Sequence, residues 1–304
     1  MSASGEEAYH DSTILTCLRW LRELLQLAPA RLVPQFAQML QVVLPHRGSA
    51  NPAIASAATQ LLQEMRHQLA EREAAQPGSS SQGGLRMESL LEVVATCLEG
   101  QEEGSEVVKL EALQWLQLLL LQRDAVPACS ADAALLAALF EALGQSVSDR
   151  VVNECLGVLC SVAAGGQERF EAVLLGIIHC FRGAGGARLL QRRGSIIIQQ
   201  FSESLGAEKV FVQLSYLLAE EKDQGFVSAL VQALNLILLT CTSLLELRNQ
   251  LRMRSREGLF AALWTSWATS ISAALSLAFL AEVGWHSSLC LVSASWRVSY
   301  PVLL

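Results

Sequence analysis

The sequence is poor in charged and aromatic residues, and these shortages exclude some kinds of protein. Only 17% of the residues are charged and 6% are aromatic, whereas 52% are hydrophobic. A chain of this composition has enough apolar surface to fold, so it is not intrinsically disordered. With 304 residues, it is long enough for one large domain or two ordinary domains around an extensive core.

The chain also has no basic character. Its formal net charge is −7, so it has no electrostatic footprint for nucleic acid and little attraction for anionic lipid. We therefore expect no nucleic-acid partner, and we expect any membrane contact to be peripheral or indirect. The N-terminal residues MSASGEEAYHD are acidic and polar, which is not the pattern of a secretory signal.

Signatures of catalytic and cofactor sites are missing. The sequence contains no phosphate loop of the form G-x-x-x-x-G-K-[ST] and no zinc helix of the form H-E-x-x-H. The eight cysteines are scattered singly in apolar stretches, which favours reduced, buried thiols. His179 adjoins Cys180, but adjacent helical residues point about 100° apart and no further ligand has zinc-like spacing. We predict no catalytic residue, no metal ligand and no cofactor, and we expect the protein not to be an enzyme.

Proline is scarce, whereas leucine and alanine, both good helix formers, are abundant. The segment CLRWLRELL (17–25) carries two adjacent apolar stripes and aligns with ALQWLQLLL (112–120), so that Trp20 corresponds to Trp115. A helix with two apolar stripes can pack against its hairpin partner and against the next hairpin, as α-solenoid repeats require. We therefore predict an all-α, HEAT/armadillo-like α-solenoid of antiparallel helix hairpins joined by short connections.

Local signals place several helix ends. Asp11 and Ser12 are predicted to cap a helix that begins at Thr13, and Asn51 is predicted to cap one that begins at Pro52.

Ser195 allows two interpretations. It follows Arg192, Arg193 and Gly194, which is the pattern of a site for a basophilic protein kinase, but an apolar helical run begins directly after it. Because of that run, the sequence favours Ser195 as a helix cap.

Two uncharged stretches, 224–245 and 258–281, are long enough to cross a bilayer, which takes roughly 20 residues. Both contain polar side chains, among them Gln232 and Asn235 in the first stretch. Buried solenoid helices are the favoured interpretation, and a membrane-spanning helical protein is the alternative.

Four residues are candidates for binding a partner. Trp264 and Trp267 lie at i and i+3 on one side of a helix; core packing is favoured, and an interface anchor is the alternative. Arg248 and Arg252 belong to a connector that must face water, and they could contact an acidic partner or a lipid head group.

Three segments carry a resemblance to a known family. They are LNLILLTCTSLLELRNQL (234–251), LFAALWTSWATSISAALSLAFLAE (259–282) and RRGSIIIQQF (192–201). In order and spacing they resemble the vacuole-morphology HEAT-repeat scaffold family of the PIKfyve phosphoinositide kinase complex, with weaker similarity back to about Thr13.

The resemblance implies a non-catalytic scaffold or regulatory subunit. It would hold a PIKfyve-type lipid kinase, which makes phosphatidylinositol 3,5-bisphosphate, together with the opposing Sac-type phosphoinositide phosphatase. The implied location is cytoplasmic and peripheral, on the endosome, lysosome or vacuole membrane. Members of the family also self-associate through a C-terminal region, most of which lies beyond the matching segments, so self-association of this chain is left open. An α-solenoid adaptor of another membrane-trafficking complex is the alternative function.

The expected organisation has five parts. Residues 1–12 are predicted to be disordered, 13–75 to form HEAT-like helices and 76–86 to form a flexible linker. Residues 87–283 are predicted to form a HEAT-like solenoid that resembles the later repeats of the family and the start of its C-terminal region. Residues 284–304 lose helical periodicity, so we expect a poorly ordered tail and a truncated or alternatively spliced form of the family.

Overall fold

The computed structural model describes residues 3–75, 87–99, 105–121, 131–146, 148–183, 185–253 and 257–281. Within these ranges the ordered elements are helices, and none of the residues lies in a β-strand. The predicted linker 76–86 and the predicted tail 284–304 lie outside the described residues. The chain divides into two compact units, Met1–Ser161 and Val162–Leu304.

Unit 1 is built from helices that pack on near neighbours in the sequence. They are α1 (Ala3–Leu27), α2 (Pro29–Leu32), α3 (Phe36–His46), α4 (Pro52–Ala75), α5 (Met87–Glu99), α6 (Ser105–Leu121), α7 (Ala131–Gln145) and α8 (Asp149–Ala164), which ends just past the unit boundary; a 3-10 turn at Val33–Gln35 precedes α3.

Side-chain hydrogen bonds join every second or third helix of unit 1 into one row. These bonds connect α1 to α4, α4 to α6, and α6 to α8. Their pairs are Arg22 Nη1 to Gln60 Oε1 (2.6 Å), Arg66 Nη1 to Gln114 Oε1 (2.9 Å) and Gln117 Nε2 to Glu154 Oε2 (3.0 Å). Such contacts between successive repeats are the packing of a helical solenoid, and the predicted fold class is confirmed.

The two copies of the internal repeat differ in burial. Trp115 on α6 is fully buried, whereas its counterpart Trp20 on α1 is 64% exposed. The other stripe of α1 is covered, with Leu18 and Leu25 in the core. The expectation that both stripes of this helix pack is therefore wrong for α1, because α2 and α4, the helices that contact it most, cover one face only.

The start of the chain also differs from the prediction. Helix α1 begins at Ala3, so residues 3–12 are helical where the sequence predicted disorder and a cap. Asp11 instead accepts a hydrogen bond from Asn51 Nδ2 (2.8 Å), which connects α1 to the beginning of α4. The predicted cap at Asn51 is confirmed, because its Oδ1 accepts a hydrogen bond from the backbone N–H of Ala53 (3.0 Å).

Unit 2 contains a second set of helices. They are α9 (Gln167–Arg182), α10 (Gly186–Leu205), α11 (Ala207–Ala219), α12 (Gln224–Thr240), α13 (Leu245–Arg252), α14 (Glu257–Trp267) and α15 (Ile271–Leu280), with a 3-10 turn at Thr242–Leu244 before α13. Helix α10 packs against α9, α11 and α12, while α14 packs against α11, α12 and α15. The core is rich in aromatic side chains, among which Phe170, Phe201, Phe211 and Trp267 are fully buried.

The beginning of α10 lies well before the predicted cap. The turn is made by Gly185 (φ +85°), and the helix runs from Gly186 without interruption past Ser195. Gly186 has no room for a side chain, since an added Cβ would overlap the carbonyl of Phe181. Ser195 is therefore in the middle of the helix, and the prediction that it caps a helix is wrong.

The uncharged stretches do not form continuous spans. The first ends as α12 at Thr240, and the second is broken between α14 and α15. None of the described helices alone has both the length and the apolarity to cross a membrane. Among the described helices, one pair, Gln224–Thr240 and Thr242–Arg252, has these properties when combined, and its two members are bent by 84° relative to each other.

A buried carboxylate on α6 lies close to α4 and to the turn that follows α3. Glu111 on α6 is 6% exposed, and its Oε1 lies 2.7 Å from Nη1 of Arg66 on α4. Its Oε2 lies 3.7 Å from Nε of Arg47, just after α3. One negative charge thus compensates two partly buried positive charges, and removing it would leave both cations without this carboxylate.

We expect Glu111→Gln to lower the free energy of unfolding by about 3 kcal/mol, the lower end for breaking a buried ion pair, since both arginines keep some exposed surface. Urea unfolding followed by far-UV circular dichroism measures the change. Glu92→Gln, on the exposed face of α5, is the matched control, with an expected change within about 0.5 kcal/mol. Equal effects of the two substitutions would contradict the structural role of Glu111.

Candidate partner-binding site

The side chain of Arg248 is directed toward the end of α12. It lies on α13 and donates hydrogen bonds from Nη1 to the carbonyl oxygens of Leu238 (2.7 Å) and Cys241 (2.7 Å). The last carbonyls of a helix have no partner within it, and a cation at this end also interacts favourably with the helix dipole. Arg248 therefore caps the C-terminus of α12, and the expectation that it faces water is wrong.

The opposite end of α12 is fixed by a second set of contacts. Asp223 Oδ1 accepts a hydrogen bond from the backbone N–H of Phe226 (3.1 Å), which is an N-cap. Just before it, Glu221 accepts two hydrogen bonds from Arg182 at the end of α9 (2.8 and 2.9 Å). The backbone N–H of Asp223 holds the pKa of Glu221 below its usual range, and the N–H of Lys222 and the charge of Arg182 lower it further. Both ends of α12 are thus positioned by side chains.

Trp267 belongs to the core of unit 2. Its side chain is fully buried, and its ring centroid lies 6.3 Å from that of Phe211 with the planes tilted by 42°. The indole Nε1 donates a hydrogen bond to Oδ1 of Asn235 on α12 at 3.4 Å. Core packing, the favoured interpretation of this tryptophan, matches its position, which leaves no exposed surface for a partner.

Trp264 and Arg252 keep exposed surface. Trp264 is partly buried on α14 and stacks on Phe260 one turn earlier, with ring centroids 5.5 Å apart. Arg252 is exposed in the last turn of α13. Of the four candidates, Trp267 is fully buried, Arg248 and Trp264 are partly buried, and Arg252 is exposed.

An exposed apolar face of α12 was not predicted. Leu236 is 62% exposed and Leu239, one turn later, is 41% exposed. Gln232 and Thr240 lie on the same exposed face. The sequence did contain a signal, because a helix that is apolar almost all round has more apolar surface than its neighbours can cover.

An open cleft lies beside the α10–α11 connection. Its volume is about 600 Å³, and it is bounded on one side by Ser202, Gly206 and Glu208 and on the other by Ser243, Glu246 and Gln250. Lys209 also lines it, and its ammonium group lies 4.1 Å from the ring centroid of Phe170. The cleft has the volume of a ligand site but is open and mixed in charge, which suits a protein surface better than an enclosed small molecule.

Cys155, which is buried, and Cys180, which is partly buried, have thiols that are poor nucleophiles at neutral pH. Burial raises the pKa of Cys180 to about 11 and that of Cys155 to about 12, so both stay protonated. His179, next to Cys180, is exposed. Among the described residues, no group of three or more His, Cys, Asp or Glu side chains is placed to hold a metal ion.

The contacts of Arg248 predict that its substitution destabilises the protein more than substitution of Arg252. Arg248→Ala leaves two carbonyls at the end of α12 without their charged donor, and we expect a loss of about 2 kcal/mol in the free energy of unfolding. Arg252→Ala removes an exposed side chain and should cost no more than about 0.5 kcal/mol. Urea unfolding of both variants tests this, and a larger effect of Arg252→Ala would show that the cap is unimportant.

Substitution of Trp267 and of Trp264 should lower the free energy of unfolding by different amounts. Trp267→Ala empties a fully buried site, so we expect a loss of about 3–5 kcal/mol. Trp264→Ala removes a partly exposed ring and one stacking contact, with an expected loss of about 1 kcal/mol. Thermal and urea unfolding by circular dichroism provide the measurement. Similar losses for both variants would argue against the different burial of the two rings.

Comparison with known proteins relates this region to a known family. Residues 187–303 match the family model described as "Vacuolar protein 14 C-terminal Fig4p binding". The four candidate residues, the exposed face of α12 and the cleft all lie within this segment.

Relatives extend the similarity to nearly the whole chain. Over 285 residues it is 33% identical to Protein VAC14 homolog of Arabidopsis thaliana, which covers 92% of this chain and 36% of the relative. It is 24% identical to Vacuole morphology and inheritance protein 14 of Saccharomyces cerevisiae (88% of this chain, 29% of the relative). It is 26% identical to Protein VAC14 homolog of Schizosaccharomyces pombe (89% and 34%).

The chain thus spans about a third of the length of these relatives. No solved structure matches it. The resemblance carried by the three sequence segments is confirmed, and the chain belongs to the VAC14 family.

Proposed function

We propose that this chain is a non-catalytic scaffold or regulatory subunit that binds a Sac-type phosphoinositide phosphatase. The observation that carries the proposal is the match of residues 187–303 to a model described as binding Fig4p. This segment covers α10 to α15, whose helices pack together in unit 2. The partner would therefore bind a folded surface, which needs little ordering on association.

The exposed side chains of unit 2 fit a protein partner. The face of α12 presents Leu236 and Leu239 to solvent, and Trp264 keeps part of its ring exposed. Apolar and aromatic side chains that lie on a rigid helix supply binding energy at low cost in conformational entropy. Arg248 and Asp223 fix the two ends of α12, so they would position this face without touching the partner.

The wider role is also a proposal. In it, the chain contributes to a complex that contains a PIKfyve-type lipid kinase as well as the phosphatase, and it controls the synthesis and turnover of phosphatidylinositol 3,5-bisphosphate. Holding two opposing enzymes on one scaffold raises their local concentration without new chemistry. The chain would act in the cytoplasm, as a peripheral component at endosomal, lysosomal or vacuolar membranes.

Co-expression and affinity capture test the proposal. The tagged chain is expressed with a Fig4p-type phosphatase, and we expect the phosphatase to be retained. The double variant Leu236→Glu/Leu239→Glu places two charges on the exposed face of α12, and it should reduce the retained phosphatase about tenfold or more, which corresponds to the loss of about 1.4 kcal/mol.

Val42→Glu is the matched control, because Val42 is 61% exposed on α3 in unit 1. Both variants should keep the circular dichroism spectrum of the parent chain. Phosphatase that is retained by a longer VAC14 relative but not by this chain would refute the proposal for this chain. Retention of other trafficking proteins alone would favour a different adaptor function.

A further inference from the structure

The first half of α10 combines an arginine pair with an exposed serine. Arg192 and Ser195 are both exposed and lie three residues apart, which is one turn of the helix. Arg193 lies between them, and Gly194 directly precedes the serine. Protein kinases select substrates partly by such charge patterns, and a basic residue three positions before the acceptor hydroxyl is one of them.

The structure removes the competing role of this serine. Because α10 begins at Gly186, Ser195 has no unpaired helix N–H groups to cap. Two other serines in unit 2 show what a structural hydroxyl does in these helices. Ser202 and Ser215 are buried and donate to the carbonyls of Ile198 (2.7 Å) and Phe211 (2.9 Å), respectively. Ser195 instead exposes its side chain to solvent.

The turns before Ser195 are held more weakly than those after it. Between Gly186 and Gly194 only these two glycines are buried, so no side chain there reaches the core fully. From Ile197 to Ser202 the buried residues include two isoleucines and Phe201. A glycine inside a helix also costs about 1 kcal/mol relative to alanine. Local opening of the first half of α10 therefore breaks few buried contacts, and a kinase could bind it in an extended form.

We propose that Ser195 is a phosphorylation site for an arginine-directed serine/threonine protein kinase that acts on the transiently opened first half of α10. The γ-phosphoryl group of ATP is transferred to Ser195 Oγ. The bond between Pγ and the bridging oxygen breaks, ADP leaves, and the hydroxyl proton is released. The product carries about two negative charges close to Arg192. This site is independent of whether the chain binds a phosphatase.

The test uses the whole chain, the catalytic subunit of cyclic-AMP-dependent protein kinase and magnesium ATP, with the products mapped by mass spectrometry. We expect one phosphate on Ser195 and its loss in Ser195→Ala. Arg192→Gln should slow the initial rate about tenfold or more, because it removes a charge-assisted contact to the kinase. Ser204→Ala is the matched control, since Ser204 is exposed on the same helix without an arginine three residues earlier.

Gly194→Ala tests the opening step separately. It keeps both arginines and the serine, but it makes the helix about 1 kcal/mol more stable, so phosphorylation of the folded chain should slow about fivefold. Its added Cβ would come within 2.8 Å of Cδ1 of Leu190, so the end of that side chain must shift to make room. Synthetic peptides of residues 188–199 with glycine or alanine at 194 should react equally fast.

Three results would overturn the proposal. The first is a folded chain that gains no phosphate at Ser195 although the peptide does. The second is phosphate transfer confined to other serines. The third is an unchanged rate in Gly194→Ala together with equal rates for the two peptides, since the acceptor would then not depend on opening of the helix.

Discussion

Burial of apolar helix faces against neighbouring helices is the constraint on which this structure depends. Most helices of the chain have more apolar surface than one partner can cover, so each needs at least two neighbours. Where neighbours are present, as for Trp115 on α6, the side chain is fully buried. Where the described chain supplies only one covered face, as for α1, the equivalent Trp20 stays 64% exposed.

Polar side chains give these helices their positions. In unit 1, hydrogen bonds along the row α1, α4, α6 and α8 fix which turn of one helix lies beside which turn of the next. In unit 2, Asp223 and Arg248 hold the two ends of α12. Apolar packing alone is non-directional, so these directional contacts define the register of the helices.

The separation between apolar packing and polar side chains that position the helices explains how the proposed scaffold function would work. A surface that binds a partner needs exposed apolar groups on a rigid support, and α12 has both. Its buried face and its capped ends keep the helix in place, while Leu236 and Leu239 remain available. Residues such as Arg248 and Trp267 would therefore influence partner binding through the position of the helix, without contacting the partner.

Much of this could be predicted from the sequence, because helical periodicity and capping are local properties. The all-α class, the repeat that relates Trp20 to Trp115, and the cap at Asn51 depend on residues a few positions apart. Three features were decided only by the tertiary structure. One is which of the two apolar stripes of a helix is covered. The others are the hydrogen bonds of Arg248 to carbonyls seven and ten residues earlier and the continuation of α10 through Ser195. These features depend on which helices become neighbours, and a local pattern carries no information about a neighbour that is distant in sequence.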